Sequence, residues 1–150
     1  MKATLSYGKP YIQPSTRFGI MSMKISQIEG WKLKAEYDGV TVVSGQETRD
    51  SEYTGFSPGK LMVAGLGMCT GMHAVTYLTK HKIEYSDLEL ELTTEGASNP
   101  TRYAVFNMSI NVKADLSEEH YKGLVEECNR CFVGNTMKNQ PEINIDVKTV

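Results

Sequence analysis

The sequence predicts an α+β fold, and three features carry that reading. Short segments alternate apolar with polar residues, as strands with one wet face do. One long apolar run opens at Ser57-Pro58, and a second amphipathic stretch opens at Ser117. Serine is a favoured helix cap, and proline suits the first helical position. The predicted order is β-β-β-α-β-β-α-β, with no internal repeat and no low-complexity tract.

Residues 1–20 show no clear pattern and are expected to be an N-terminal arm or a leader. Residues 21–150 are expected to form a single domain. Met21, Met23 and Ile25 alternate with polar residues, as do Trp31, Leu33, Ala35 and Tyr37. Asp38-Gly39 then makes a two-residue hairpin turn into Val40 to Val43. Residues 44–57 are polar and read as a loop. The helix opened by Ser57-Pro58 is expected to run to about Lys82. Its first half is apolar on nearly every side, which predicts a helix surrounded by protein. Gly65, Gly67 and Gly71 each cost about 1 kcal/mol of helix propensity relative to Ala, so they predict close approach of another element.

After a turn at Glu84 to Asp87, Leu88, Leu90 and Leu92 alternate with polar residues. Gly96 to Pro100 reads as a loop. Ala104, Phe106, Met108, Ile110 and Val112 predict a second long strand. Ser117 caps the second helix, where Glu118 and Glu119 suit the positive helix end. Leu116 and Tyr121 are spaced as a hydrophobic staple. Tyr121, Leu124, Val125 and Cys128 share a face, and the helix is expected to end near Arg130 to Gly134. Ile143, Ile145 and Val147 predict a final strand.

Sixteen basic and eighteen acidic residues leave a net charge of -2, with the signs interspersed. No basic block is present, which argues against a nucleic-acid partner or an anionic membrane surface. Leu61 to Thr79 has no charged residue, and its length would just span a bilayer. Its glycines, threonines and His73 dilute that apolarity, so a buried helix of a soluble domain is expected and no membrane partner. Three cysteines make no disulfide scaffold and fit reduced thiols in a cytoplasmic protein. Pro10, Pro14 and Arg17 interrupt the first twenty residues, against a signal peptide.

Cys69 lies deep in the first helix, where a cysteine often serves as a small hydrophobe. Cys128-Asn-Arg-Cys131 is a CxxC. A thioredoxin-type site needs that motif at a helix start, whereas here a helix C-terminus is expected, which disfavours a thiolate. One CxxC with His73, His81 and His120 gives no recognised zinc spacing, so no metal site is expected. Cys128 reads as core on the Leu124 face. His73, one turn after Cys69, could act as a base or hydrogen-bond partner, or sit as a satisfied core histidine.

The segment SPGKLMVAGLGMCTGMHAVTYLTKHKI (57–83) resembles the central helix of the OsmC and organic hydroperoxide resistance (Ohr) family. Members carry a Ser/Asn-Pro helix start, a small-residue apolar run and a Cys often followed by Thr. The segment CFVGNTMK (131–138) is similar to that family's second cysteine motif, usually a Cys-Pro-Val-His-Asn-Thr-Leu run. The two motifs stand in the right order, and the resemblance covers about residues 21–150. It implies antiparallel sheets packed on two long helices in an intertwined homodimer. It also implies thiol-dependent reduction of organic hydroperoxides without a cofactor, Cys69 attacking and Cys131 resolving, with an external dithiol resetting the pair. The ligand would be an organic hydroperoxide or another small apolar molecule.

The chain departs from that pattern at informative places. Peroxide-reducing members have a Glu just after the helix-starting Pro, holding an Arg of the first hairpin against the thiolate. Here Gly59 stands at the Glu position, and residues 25–44 contain no Arg. Arg49, in the loop before the helix, is the replacement cation by position, with Arg102 and Lys60 behind it; the alternative for Arg49 is a solvated loop charge. Phe132 and Gly134 replace the family's Pro and His, while Val133, Asn135 and Thr136 remain. A binding or redox protein that kept the fold but lacks peroxidase activity is therefore the alternative reading.

Overall fold

The computed structural model describes residues 20–149, so the expected arm or leader lies almost wholly outside the described residues. Two compact units follow one another, meeting in sequence at Gly55 and Phe56. The first is an antiparallel sheet of β1 (Lys24–Glu29), β2 (Trp31–Tyr37) and β3 (Val40–Gln46), in that spatial order. Its β2–β3 turn is the Asp38-Gly39 pair. Both residues have positive φ, +48° and +77°, the geometry that lets a two-residue turn follow the right-handed twist of its strands. The register is unbroken, from Tyr37 opposite Val40 to Trp31 opposite Gln46.

The second unit is built on α1 (Pro58–Lys80). Ser57 caps it as the sequence implies, its hydroxyl accepting the Lys60 N–H at 3.3 Å. Two long strands, β4 (Tyr85–Ser98) and β5 (Thr101–Ala114), form an antiparallel hairpin. The α1 helix packs against β4, α2 (Glu118–Cys128) and α3 (Phe132–Lys138). Two of its three glycines face the hairpin. A Cβ at Gly67 would lie 3.0 Å from Leu92, and one at Gly71 would lie 3.4 Å from Leu90. Close approach of β4 thus offsets the helix propensity those glycines forgo; Gly65 faces open space.

The core is small and sits between α1 and α2. Ala74, Leu78, Leu124 and Cys128 are buried together, with Tyr77, Ile83, Leu88, Ile110, Val112 and Leu116 packed around them. The α1 helix is long and apolar enough to cross a membrane by length and composition. Within this chain it is covered on one side only. Met68 and Met72 are 65% and 70% exposed, and Met62 and Val75 are also exposed. The expectation of a helix surrounded by protein therefore fails for the single chain, which has no further element to lay over that side.

Three other expectations change. The loop expected over Gly96 to Pro100 shrinks to a turn at Asn99-Pro100, because both strands run on to Ser98 and Thr101. The second helix does not continue to Arg130 or Gly134. It stops at Cys128, and a separate helix starts at Phe132 with Cys131 as its cap. No strand forms at Ile143, Ile145 and Val147, all about 80% exposed. Alternation supplies a strand's faces but not its hydrogen bonds, and this segment has no neighbour in the sheets described. The observed order is β-β-β-α-β-β-α-α.

Candidate functional site

The two cysteine motifs meet where α1 passes the start of α3. Cys69 lies in the middle of α1 and is half-buried, while Cys131 is buried, with 3% of its surface exposed. All three cysteines are free thiols. Cys131 caps α3, its sulfur accepting the Gly134 N–H at 3.4 Å. The same sulfur lies 4.0 Å from the Leu66 carbonyl of α1. Burial pushes the Cys131 thiol up, but hydrogen bonds from Cys69, the Gly134 N–H, Thr70 and the Val133 N–H outweigh it. The thiol is left below its ordinary pKa. The sulfurs of Cys69 and Cys131 are therefore hydrogen-bond neighbours, although their codons of sequence lie on opposite sides of the β4–β5 hairpin.

Cys128, the other half of the CxxC, turns the opposite way into the core. Burial raises its pKa, and the nearby charges of Glu127 and Cys131 raise it further. A thiol of this kind is inert rather than reactive. The break between α2 and α3 thus separates the two cysteines chemically: one ends a helix and the other begins the next.

His73 points away from a role at the sulfurs. Its Nδ1 pairs with Glu127 Oε1 at 2.9 Å, and Arg130 Nη1 donates to Glu127 Oε2 at 3.2 Å. The His73 hydrogen bond lowers the Glu127 pKa, with burial opposing it and the charges of Arg130, His73 and Lys80 adding to it. This cluster ties α1 to α2. Arg49 belongs to the first unit, and its backbone carbonyl accepts a hydrogen bond from the Gln46 side chain. Arg102 and Lys60 are exposed in the second unit, Arg102 donating to the Pro100 carbonyl at 3.1 Å. The groups that lower Cys131 are thus neutral hydrogen-bond donors. Among them Thr70, 6% exposed, was not singled out from sequence, although the Cys-Thr pair is part of the motif.

Two cavities border this region. One of about 750 Å3 is lined by Leu66, Thr70, Phe106, Leu124, Cys128 and Cys131, among others. A more open one of about 1380 Å3 is lined largely by apolar side chains, including Met62, Phe106, Phe132 and Met137, with Arg102 at its wall. Among the described residues no cluster of three His, Cys, Asp or Glu is arranged to hold a metal ion.

The family model described as OsmC-like protein matches residues 49–146, which span both cysteine motifs and the hairpin between them. The chain belongs to the OsmC-like family. Solved structures similar to this OsmC-like chain include one from Psychrobacter arcticus, 18% identical, covering 79% of this chain and 89% of that one, with a TM-score of 0.66. An OsmC like protein from Mycoplasma pneumoniae is 21% identical, covering 78% and 87%, with a TM-score of 0.61. The organic hydroperoxide resistance protein OhrB of Bacillus subtilis is 17% identical, covering 80% and 93%, with a TM-score of 0.50. Comparison with curated proteins finds no match. The α+β fold and the family read from the two motifs are both borne out.

Proposed function

We propose that this OsmC-like protein is a cytoplasmic, homodimeric thiol reductase of organic hydroperoxides that works through Cys69 and Cys131. The contact between those two sulfurs carries the reading: two free thiols from separate helices share a hydrogen bond beside apolar cavities. In the reaction, a thiolate attacks one peroxide oxygen, an S–O bond forms as O–O breaks, and the leaving alkoxide takes up a proton to become an alcohol. The sulfur is oxidised to a sulfenic acid while the peroxide is reduced by two electrons. The second thiol then displaces hydroxide, which leaves as water, and an external dithiol reduces the resulting disulfide. The hydroperoxide-resistance neighbours support the substrate class. Reduced protein mixed with an alkyl hydroperoxide should consume about one equivalent and gain one intramolecular disulfide. Peroxide consumption that survives replacement of both cysteines by serine would refute the reading.

A second reading rests on Gly59. A Cβ there would lie 3.0 Å from the Tyr103 hydroxyl, so Tyr103 occupies the space that the family's Glu side chain would need. An OsmC-like protein that binds an apolar ligand without reducing it would keep this arrangement. Stoichiometric ligand binding with no turnover of any alkyl hydroperoxide would favour it.

A further inference from the structure

We propose that Cys131, rather than Cys69, is the thiol that attacks the hydroperoxide, with Cys69 as its resolving partner. This deepens the hydroperoxide reading above and rests on it. A sulfur that is to carry negative charge needs donors aimed at it, and the two thiols differ in what surrounds them. Around Cys131 stand the Gly134 N–H at 3.4 Å, the Cys69 thiol and the buried Thr70 hydroxyl. Cys69 lies in mid-helix, where the backbone N–H groups are committed to the helix itself and its thiol is a donor to Cys131. The balance of these contacts leaves the Cys131 thiol lowered despite its burial.

Access follows the same division. Cys131 is nearly sealed from bulk solvent but lines the 750 Å3 cavity, whose walls include Leu66, Phe106, Met108 and Leu124. An alkyl group can lie along those walls with its peroxide oxygens toward the sulfur. Thiolate attack by Cys131 forms the S–O bond and breaks O–O, releasing the alcohol after protonation of the alkoxide. The hydrogen bond already present between the sulfurs then sets Cys69 to displace hydroxide from the Cys131 sulfenic acid; the S–S bond forms and water leaves.

The test uses the full chain as wild type, Cys69→Ser and Cys131→Ser. Serine keeps a hydroxyl donor at position 69 and is a good helix cap at position 131, so both variants retain the local contacts. Each is treated with one equivalent of an alkyl hydroperoxide and a sulfenic-acid trap, and the adduct is located by mass spectrometry. In parallel, the pH profile of iodoacetamide alkylation is measured residue by residue; its midpoint reports ionisation independently of how fast the reagent enters. The expected result is a trapped sulfenic acid on Cys131 in Cys69→Ser and none on Cys69 in Cys131→Ser, with the lower alkylation midpoint at Cys131. A sulfenic acid on Cys69 in Cys131→Ser, or a lower midpoint at Cys69, overturns the assignment. If the wild type consumes no peroxide, the hydroperoxide reading fails and the attack by Cys131 fails with it. The alkylation midpoints then still decide which thiol ionises first.

Discussion

The carboxylate of Glu127 holds two cations from different helices, and that arrangement has a pH signature. His73 and Arg130 bind the ionised form, so the folded-state pKa lies below its unfolded value. A depressed carboxyl contributes stability that is complete above the unfolded pKa, about 4.3, and is lost as pH falls through the lower folded value. Glu127→Gln keeps an acceptor for His73 but not the charge. It should cost about 0.5–1 kcal/mol at neutral pH, as partly exposed ion pairs do, and the gap to wild type should close below pH ~4. Urea unfolding of both proteins across that range measures it; a gap that stays constant would show that the charge is not what binds the helices. None of this network was legible from sequence. His73 was singled out for its position one turn after Cys69, but its partner comes from a different helix, and a single chain of letters carries no sign of a pairing that only tertiary folding creates. The thiols themselves were legible, because each sits in a motif whose residue types are specific.

At the level of elements, helix starts were easy to read and helix ends were not. Ser57-Pro58 and Ser117 announce their helices by local chemistry, and both hydroxyls bond the backbone as caps do. The end of α2 has no such mark. Its apolar face continues through Cys128 to Cys131, and the break arises because Cys131 swings out to cap α3. The close approach of α1 and α2 is set by Gly123, where a Cβ would lie 2.1 Å from the Tyr77 hydroxyl. That hydroxyl lies 3.2 Å from His120 Nδ1, and the Tyr77 ring stacks on His81 at 4.2 Å. Gly123→Ala should therefore destabilise the protein by about 1–3 kcal/mol despite alanine's better helix propensity. Pairing it with Tyr77→Leu should recover most of the loss. Thermal unfolding of the single and double variants checks this, and an additive double variant would mean that the helices do not meet there.

For the whole molecule, the single chain leaves two apolar features uncovered. Met68, Met72 and Val75 form a stripe along α1, spaced to lie on one helical face. Ile143, Ile145 and Val147 alternate as a strand but lie exposed without a sheet neighbour. A second copy of the chain, as the family resemblance implies, accounts for both: it would cover the stripe and supply an edge for the segment. Met72→Lys should shift the protein toward monomer by about tenfold or more in dissociation constant, since a charge would be buried at that face. Sedimentation at micromolar concentration decides this, and a monomeric wild type would contradict it. Hydrogen exchange should also show slow amides over residues 143–147 in the dimer, and fast ones in Met72→Lys. The strand pattern was thus legible while its partner was not, because alternation tells which faces a strand has but not which edge it joins. The central claim remains the contact between Cys69 and Cys131. It is tested most directly by titrating reduced wild-type protein with an alkyl hydroperoxide and mapping its disulfides by mass spectrometry. A Cys69–Cys131 disulfide formed in step with alcohol release is the expected result; peroxide consumed with both thiols still reduced, or no consumption at all, would contradict it.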